Sequence, residues 1–550
     1  MLSRITINGY YLFFLTIVLT ILMAGSGSYG LAETSEARYA EISREMLNSG
    51  DYLNPKLLGI FHFHKPPITY YLTTLGYRIF GINEFGARFF LQIAIVLQLI
   101  FVYGMANLLY KDRKIAFMSG LVYFAMPIVL ISSRNLTTDA YLTTFIIASL
   151  FSWQYYTSKG KLMGLYLFYL LMAMALLTKG PVALLFILIY IIVYKSIFKR
   201  SSKINIHHIL GLSLCLILGS SWYVMVVLGN TGLWDYFIQK QLFSRMAHIS
   251  FNRSKPFWFY IPVIIGLVLP WWSIIPYQFK QKGKKILNMA SEDRLLLISM
   301  GCLFLIFSIF KNKMILYILP SFWLVAILIA AQLFKATKAI WNTLNLAYVV
   351  LMGCLFTGIL ALWIIKPDFV QITTGTLIIS FISLIVFTVI HFLIDNLKPE
   401  KPAILGASFG AALILISTSL MSHNGPTFNS TKEIMGFINN ATTKAHKTVV
   451  VYDYLLSSIP IYSEAHQITL KLKHNTTDRE IQFQTNDDWK ESLWDINDQA
   501  MVSRLDSLSY SPNTYLIIDK KKGFKDGLKY LEPHFKNRMV YQDWLILFNK

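Results

Sequence analysis

The stretch "GIFHFHKPPITYY", residues 59–71, gathers two histidines, a lysine and two prolines in a chain that is otherwise mostly apolar. Lys65 offers a compact point charge suited to a phosphate. Pro66 and Pro67 fix the backbone after it and can open a helix. The competing reading is a lysine that snorkels to a membrane interface. Asp139, in "LTTDAYLT", stands at the mouth of an apolar run. It reads either as a catalytic carboxylate or as a tolerated interfacial acid. Lys179 in "TKGP" and Lys313 in "FKNKMILYILP" occupy very short turns, where each can help hold an anion or serve as an interfacial lysine. Glu36 and Glu41 alternate with Arg38 and Arg44 at helical spacing, which gives a solvated charged face or a general base beside an acceptor hydroxyl or amine. His62, His64 and His248 raise metal binding, but alternating histidines without a fixed partner do not define a site.

These residues need a scaffold, and composition says which kind. The chain has 550 residues, is 55% hydrophobic and 14% charged, and has a mean hydropathy of +0.51. A soluble protein carries more charge and shorter apolar runs. Runs of spanning length recur from Tyr10 to Met421, with Trp and Tyr at their ends. The expected fold is a polytopic α-helical membrane protein of about 13 transmembrane helices. The spans are read at about 9–30, 86–110, 115–132, 139–157, 163–178, 181–198, 208–228, 258–279, 294–310, 314–334, 342–365, 373–395 and 402–421. Residues 1–424 then form the membrane domain, and 425–550 a soluble α/β domain.

Charge fixes the orientation. Residues 425–550 hold 16 Lys and Arg against 15 Asp and Glu, so nearly all of the net charge of +21 lies in the membrane part. That excess belongs to topology and lipid phosphate, which argues against nucleic acid as a partner. The loops "YKDRK", "SKGK", "KSIFKRSSK", "KQKGKK", "FKATK" and "NLKPEK" are the basic set and are cytoplasmic by the positive-inside rule. The N-terminus is then inside, taking residues 1–30 as an uncleaved span rather than a signal peptide. Loop 31–85, loop 229–257 and the C-terminal domain are outside the cytoplasm. Within 31–85, "SEARYAEISREMLNSG" and "PPITYYLTTLGYRIFG" read as interfacial helices, the first with Ala37, Ile42, Met46 and Leu47 on its apolar side. In the C-terminal domain "KTVVVYDYLL", "HQITLKL", "EIQFQT", "NTYLIID" and "WLILF" read as strands. "TKEIMGFINNA", "DWKESLWDINDQAMVSRLDS" and "FKDGLKYLE" read as helices. The cysteines, Cys215, Cys302 and Cys354, all fall in apolar runs and suggest no disulfide framework.

Together these stretches resemble a family. "SEARYAEISREMLNSGDYLNPKLLGIFHFHKPPITYY", "FGARF", "LTTDAYLT", "TKGPVALL", "KPFWFYIPVIIGLVLPW" and "FSIFKNKMILYILP" look like the glycosyltransferase C superfamily. The likeness is greatest to bacterial 4-amino-4-deoxy-L-arabinose (lipid A) transferases, and protein O-mannosyltransferases are more distant. The resemblance implies an inner-membrane enzyme. It would take a sugar from a polyprenyl-phosphate donor to an extracytoplasmic acceptor, lipid A or a related glycolipid. Transfer to protein is the alternative, and a lipid-linked sugar transporter or flippase is a third reading. By the same resemblance Lys65, Arg245, Lys313 and Tyr317 match donor-phosphate contacts, while Glu36 and Asp139 match catalytic acids. Three positions depart from the family pattern. Ser35 stands where relatives carry aspartate, His64 where they carry glutamate before Lys-Pro-Pro, and Leu242 where they carry histidine. The last two are associated with a divalent metal in some relatives, so no metal and no other cofactor is carried over.

Overall fold

The computed structural model describes residues 9–33, 35–199, 204–243, 254–274, 289–396, 398–425, 427–441, 447–472, 477–524 and 526–549. In chain order the first elements are helices α1 (Gly9–Met23) and α2 (Glu36–Ser49), strands β1 (Lys56–Leu57) and β2 (Ile60–Phe61), and helix α3 (Ile68–Phe80). Helices α4 (Glu84–Tyr110), α5 (Arg113–Phe124), α6 (Pro127–Ser133), α7 (Thr138–Lys159), α8 (Leu162–Lys179), α9 (Val182–Phe198) and α10 (Ile206–Gly229) follow. Apolar helices continue to His423, and strands β3 (Thr448–Tyr452), β4 (His466–Lys471), β5 (Leu493–Asp495), β6 (Thr514–Asp519), β7 (Asn537–Tyr541) and β8 (Trp544–Phe548) close the chain. The chain divides into two compact units. One comprises Met1–Gly25, Phe90–Pro367 and Ile372–Ser419; the other comprises Ser26–Phe89, Asp368–Gln371 and Leu420–Lys550.

The first unit is helical. Among the described residues seven helices are long and apolar enough to cross a membrane, and an eighth crossing arises if α5 and α6 count as one bent span. The protein is a polytopic helical membrane protein. The bend of 63° falls at Pro127, which has no amide proton to continue the helical ladder. Helix Phe322–Leu333 is apolar all round and buried along its whole length, as expected of a helix enclosed by others. Helix α7 is different: Thr143, Thr144, Ser149, Ser152 and Gln154 are buried in it. Polar groups away from water need partners. The Gln98 amide donates to the carbonyl of Ala140 at 2.8 Å and to Thr144 Oγ1 at 3.0 Å, and Tyr123 donates to Gln98 Oε1 at 2.7 Å. These contacts tie α7 to α4 and α4 to α5.

The second unit joins the segment 26–89 to a six-stranded sheet of order β5-β4-β3-β6-β8-β7. β3 pairs in parallel with β4 and β6, β4 in parallel with β5, and β8 is antiparallel to β6 and β7. Both faces are covered, so Val449, Val450 and Val451 are all buried and the strand reads as a continuous apolar run. One face packs on helix Lys432–Ala441 through Ile434, Met435 and Ile438; the other packs on helix Gln499–Ser509 through Leu505. Two sequence expectations are corrected. "EIQFQT" is not a strand: Asp478–Phe483 forms a 3-10 turn. The long helix expected from Asp488 is broken by β5, whose Leu493–Asp495 pair with Thr469–Lys471. Sheet pairing overrides a helical pattern when the neighbouring strand edge offers open backbone groups.

α2 lies where the sequence put it, ending at Gly50 with φ +71° and an amide bond to the Met46 carbonyl. Ala37, Ile42 and Met46 are buried, and Leu47 is half-buried. Its acids are the surprise. A solvated charged face was one expectation, yet Glu36 and Glu41 are 2% and 0% exposed.

Candidate functional site

In the first unit, α7 and α8 run antiparallel through the tight turn at Gly160, so the first turn of α7 meets the last turn of α8. That meeting brings Asp139 and Lys179 together. An acid near a helix N-terminus and a base near a C-terminus each suit the helix dipole. The Lys179 ammonium forms an ion pair with Asp139 Oδ1, and both side chains are about nine-tenths buried. The same ammonium sits 4.4 Å from the centroid of the Tyr317 ring, a cation–π contact. Tyr317 lies on the 3-10 turn Ile315–Ser321, which packs on α7.

Beside this trio two short segments are joined. Ser254 and Asn312 form a β-bridge, Lys255 N donates to the Lys311 carbonyl at 3.1 Å, and Tyr260 donates to the Met314 carbonyl at 3.0 Å. Lys313 is buried, and its ammonium donates to the carbonyls of Lys255, at 3.0 Å, and Phe310. An ammonium has three donors, so one further bond can go to an anion. Burial pushes the Lys313 pKa below its ordinary value. Lys255 and Lys311 are exposed on the same pair of segments. Sequence reasoning singled out neither; their signal was the pair of basic stretches flanking "KPFWF" and "FKNK", which only a bridge at Ser254 and Asn312 makes neighbours.

In the second unit, Lys65 is half-buried between β2 and α3. β1 and β2 form a hairpin in which Leu57 pairs with Ile60, turning at Leu58 and Gly59, with φ +54° and +77°. The Gly59 amide is held by the Glu45 carboxylate at 3.2 Å. The His62 amide donates to Pro55 at 2.7 Å. Pro67 then opens α3, where a missing amide proton costs nothing.

Glu36 and Arg88 are both buried. The guanidinium clasps both carboxylate oxygens, Nε to Oε1 at 2.9 Å and Nη2 to Oε2 at 2.7 Å. Arg88 also donates to the carbonyls of Ser26, Tyr29 and Gly30, and lies 3.7 Å from the Tyr29 ring centroid. Ala32 N bonds Glu36 Oε2 as well, at 3.0 Å. Both oxygens are thus engaged, and this geometry supports an anchor more than the general base expected from sequence. Glu41 also pairs with an arginine, Arg44, at 2.7 and 2.8 Å. Burial nevertheless pushes its carboxyl up to about 8, with Arg44 pulling the other way.

Of the sequence-predicted residues, Asp139, Lys313 and Tyr317 therefore lie in the first unit, where Lys179 joins Asp139 to Tyr317. Glu36 and Lys65 lie in the second, and Arg245 and His248 fall outside the described residues. Among the described residues no three His, Cys, Asp or Glu side chains gather as a metal cradle. His64 Nε2 is 2.9 Å from Glu480 Oε1, so this histidine is engaged by a buried carboxylate.

Residues 64–224 match the family described as dolichyl-phosphate-mannose-protein mannosyltransferase. The undecaprenyl phosphate-alpha-4-amino-4-deoxy-L-arabinose arabinosyl transferase of Aeromonas salmonicida is 31% identical over 340 residues, 60% of this chain and 62% of the relative. The protein of the same name from Pectobacterium carotovorum is 31% identical over 356 residues, 63% of this chain and 64% of the relative. The chain thus spans just under two thirds of the length of the curated relatives it matches. Crystal structures of ArnT from Cupriavidus metallidurans, one in the apo state and one bound to undecaprenyl phosphate, superpose with a TM-score of 0.76 at 19% identity. The match covers 98% of this chain and 97% and 98% of those chains. The chain has that fold, and the resemblance read from its motifs is borne out.

Proposed function

We propose that this chain is an integral-membrane glycosyltransferase that moves a sugar from a polyprenyl-phosphate donor to an extracytoplasmic acceptor, lipid A or a related glycolipid. The observation that carries the reading is the Asp139–Lys179–Tyr317 cluster beside the lysine-bearing bridge of 254–255 and 311–313. Sugar transfer breaks the bond from C1 to the phosphate oxygen and forms one from C1 to the acceptor oxygen. The leaving polyprenyl phosphate gains negative charge, so fixed cations are the main catalytic need. Lys313, with its spare donor, and Tyr317 take phosphate oxygens; for Lys65 and Arg245 the same role is proposed on the motif resemblance alone. Asp139 takes the proton of an acceptor hydroxyl, and Lys179 keeps that carboxylate oriented. Glu36 contributes by anchoring α2. The names of the arabinosyl transferase relatives support an undecaprenyl-phosphate donor and an aminosugar cargo.

The finer architecture belongs to the same reading. We place thirteen spans in an inner membrane, the N-terminus in the cytoplasm and 425–550 as an α/β domain outside it, on the positive-inside pattern. Transfer to protein is the second reading, favoured by the description of the family matching 64–224. Mass spectrometry of lipid A and of envelope glycopeptides, with and without the gene, separates the two. Loss of one sugar-sized or aminosugar-sized mass from lipid A is expected. Unchanged lipid A with lost glycopeptides turns the assignment to protein. No change in either refutes transfer and leaves transport of the lipid-linked sugar.

A further inference from the structure

Within the second unit, the loop that carries Lys65 is gripped by the carboxyl edge of the C-terminal sheet. The segments following β3 and β4 emerge there, where open α/β sheets ordinarily place their ligand-binding loops. Leu455, after β3, packs on the cluster of Ile42, Met46, Leu57, Leu58 and Tyr70. Ser458 donates through its amide and hydroxyl to Glu33 Oε1, at 2.7 and 2.6 Å. After β4, the turn Asp478–Phe483 reaches the loop itself. Phe483 meets Phe63 edge-on at 5.9 Å, and Glu480 Oε1 lies 2.9 Å from His64 Nε2. The Glu480 side chain is fully buried and His64 is 12% exposed. The turn is fastened at its base, because Lys471, at the end of β4, pairs with Asp478 and with Asp495.

A buried carboxylate requires a donor or a cation close by, and it fixes that donor's position in return. His64 immediately precedes Lys65, and Pro66 stiffens the chain directly after it. We propose that Glu480 is a positioning residue for Lys65, acting through His64, so that the C-terminal domain helps to build the donor-phosphate site. This rests on the reading of Lys65 as a phosphate ligand. Glu480 does not touch the donor. It holds the imidazole, and the imidazole sets where the next residue's ammonium can go.

The test uses the full chain in detergent with undecaprenyl phosphate as the probe. Four variants are compared with wild type: Lys65→Ala, His64→Ala, Glu480→Gln and the His64→Ala/Glu480→Gln double. A misplaced ammonium should weaken probe binding in Glu480→Gln by up to roughly a hundredfold. In turnover assays the donor KM should rise while kcat at saturating donor holds. The double variant should bind no worse than the weaker single, since both changes remove one contact. Amide exchange over 59–65 should quicken in Glu480→Gln. Leu505→Ala, a core truncation elsewhere in the same domain, controls for general loosening and should leave probe binding unchanged. Wild-type binding by Glu480→Gln, additive losses in the double variant, or an equal loss in Leu505→Ala each overturn the positioning role. Wild-type binding by Lys65→Ala overturns the phosphate reading instead, and amide exchange then still reports whether Glu480 holds the loop.

Discussion

Glu36→Gln separates an anchor from a base. Glu36 and Arg88 are 2% and 0% exposed, joined by two charge-assisted hydrogen bonds. Removing one partner of a buried pair leaves a buried charge behind, at a cost of about 3–5 kcal/mol. Glutamine keeps the shape and one acceptor, and three carbonyls still face the guanidinium, so the lower end of that range applies, about 3 kcal/mol. Each 1.4 kcal/mol is tenfold, so the opening equilibrium of this region should rise by roughly a hundredfold. Amide exchange over α2, with a melting curve alongside, measures that change. Turnover at saturating donor, taken where the variant is folded, should stay within a few-fold of wild type. A general base contributes about 10²–10⁴ in rate. Wild-type exchange and melting with a kcat loss of that size would refute the anchor and restore Glu36 as the base.

Three further outcomes follow from the same geometry. Asp139→Asn and Lys179→Ala each break the pair between α7 and α8; both should lower kcat by roughly 10²-fold or more in donor-turnover assays, and near-normal rates in both would remove the cluster from the chemistry. Lys313→Met removes two carbonyl tethers and a phosphate donor, so the donor KM should rise and protease resistance across 254–260 should fall; an unchanged KM with lost resistance would leave Lys313 a tether only. Burial pushes the Glu33 carboxyl from its ordinary 4.5 up to about 7, with the Ser458 hydrogen bonds opposing. The native state then keeps a proton that the unfolded chain has released, so this stability is complete below pH 4.5 and is lost by pH 7, about 3 kcal/mol in all. Relative to wild type, Glu33→Gln should gain stability across that window as pH rises, and parallel pH–stability curves would contradict the assignment.

The apolar runs, the loop charges and the motif order are local properties of a chain, and they suffice to read a polytopic helical membrane protein with transferase-like motifs. α2 was legible as a helix, because helical spacing acts within a few residues. Lys65, Asp139 and Lys313 were legible as candidates because cations and acids stand out in apolar sequence, and Tyr317 only through the motif resemblance. What each does was not legible. The side of α2 that carries Glu36 and Glu41 looked solvated, since nothing nearby in sequence shows Arg88 arriving 52 residues later to bury Glu36. Lys179 appeared as a turn lysine until the α7–α8 hairpin set it against Asp139. β5 was hidden inside a helical pattern because its pairing partner, β4, lies about 20 residues upstream. His64 and Glu480 are separated by more than 400 residues, and no spacing rule connects them. Hydropathy, charge bias and caps are decided by neighbours along the chain, so the sequence by itself determined the class, the elements and the list of reactive side chains. Which carboxylate meets which cation depends on chain crossings and burial, and only the tertiary structure decided that.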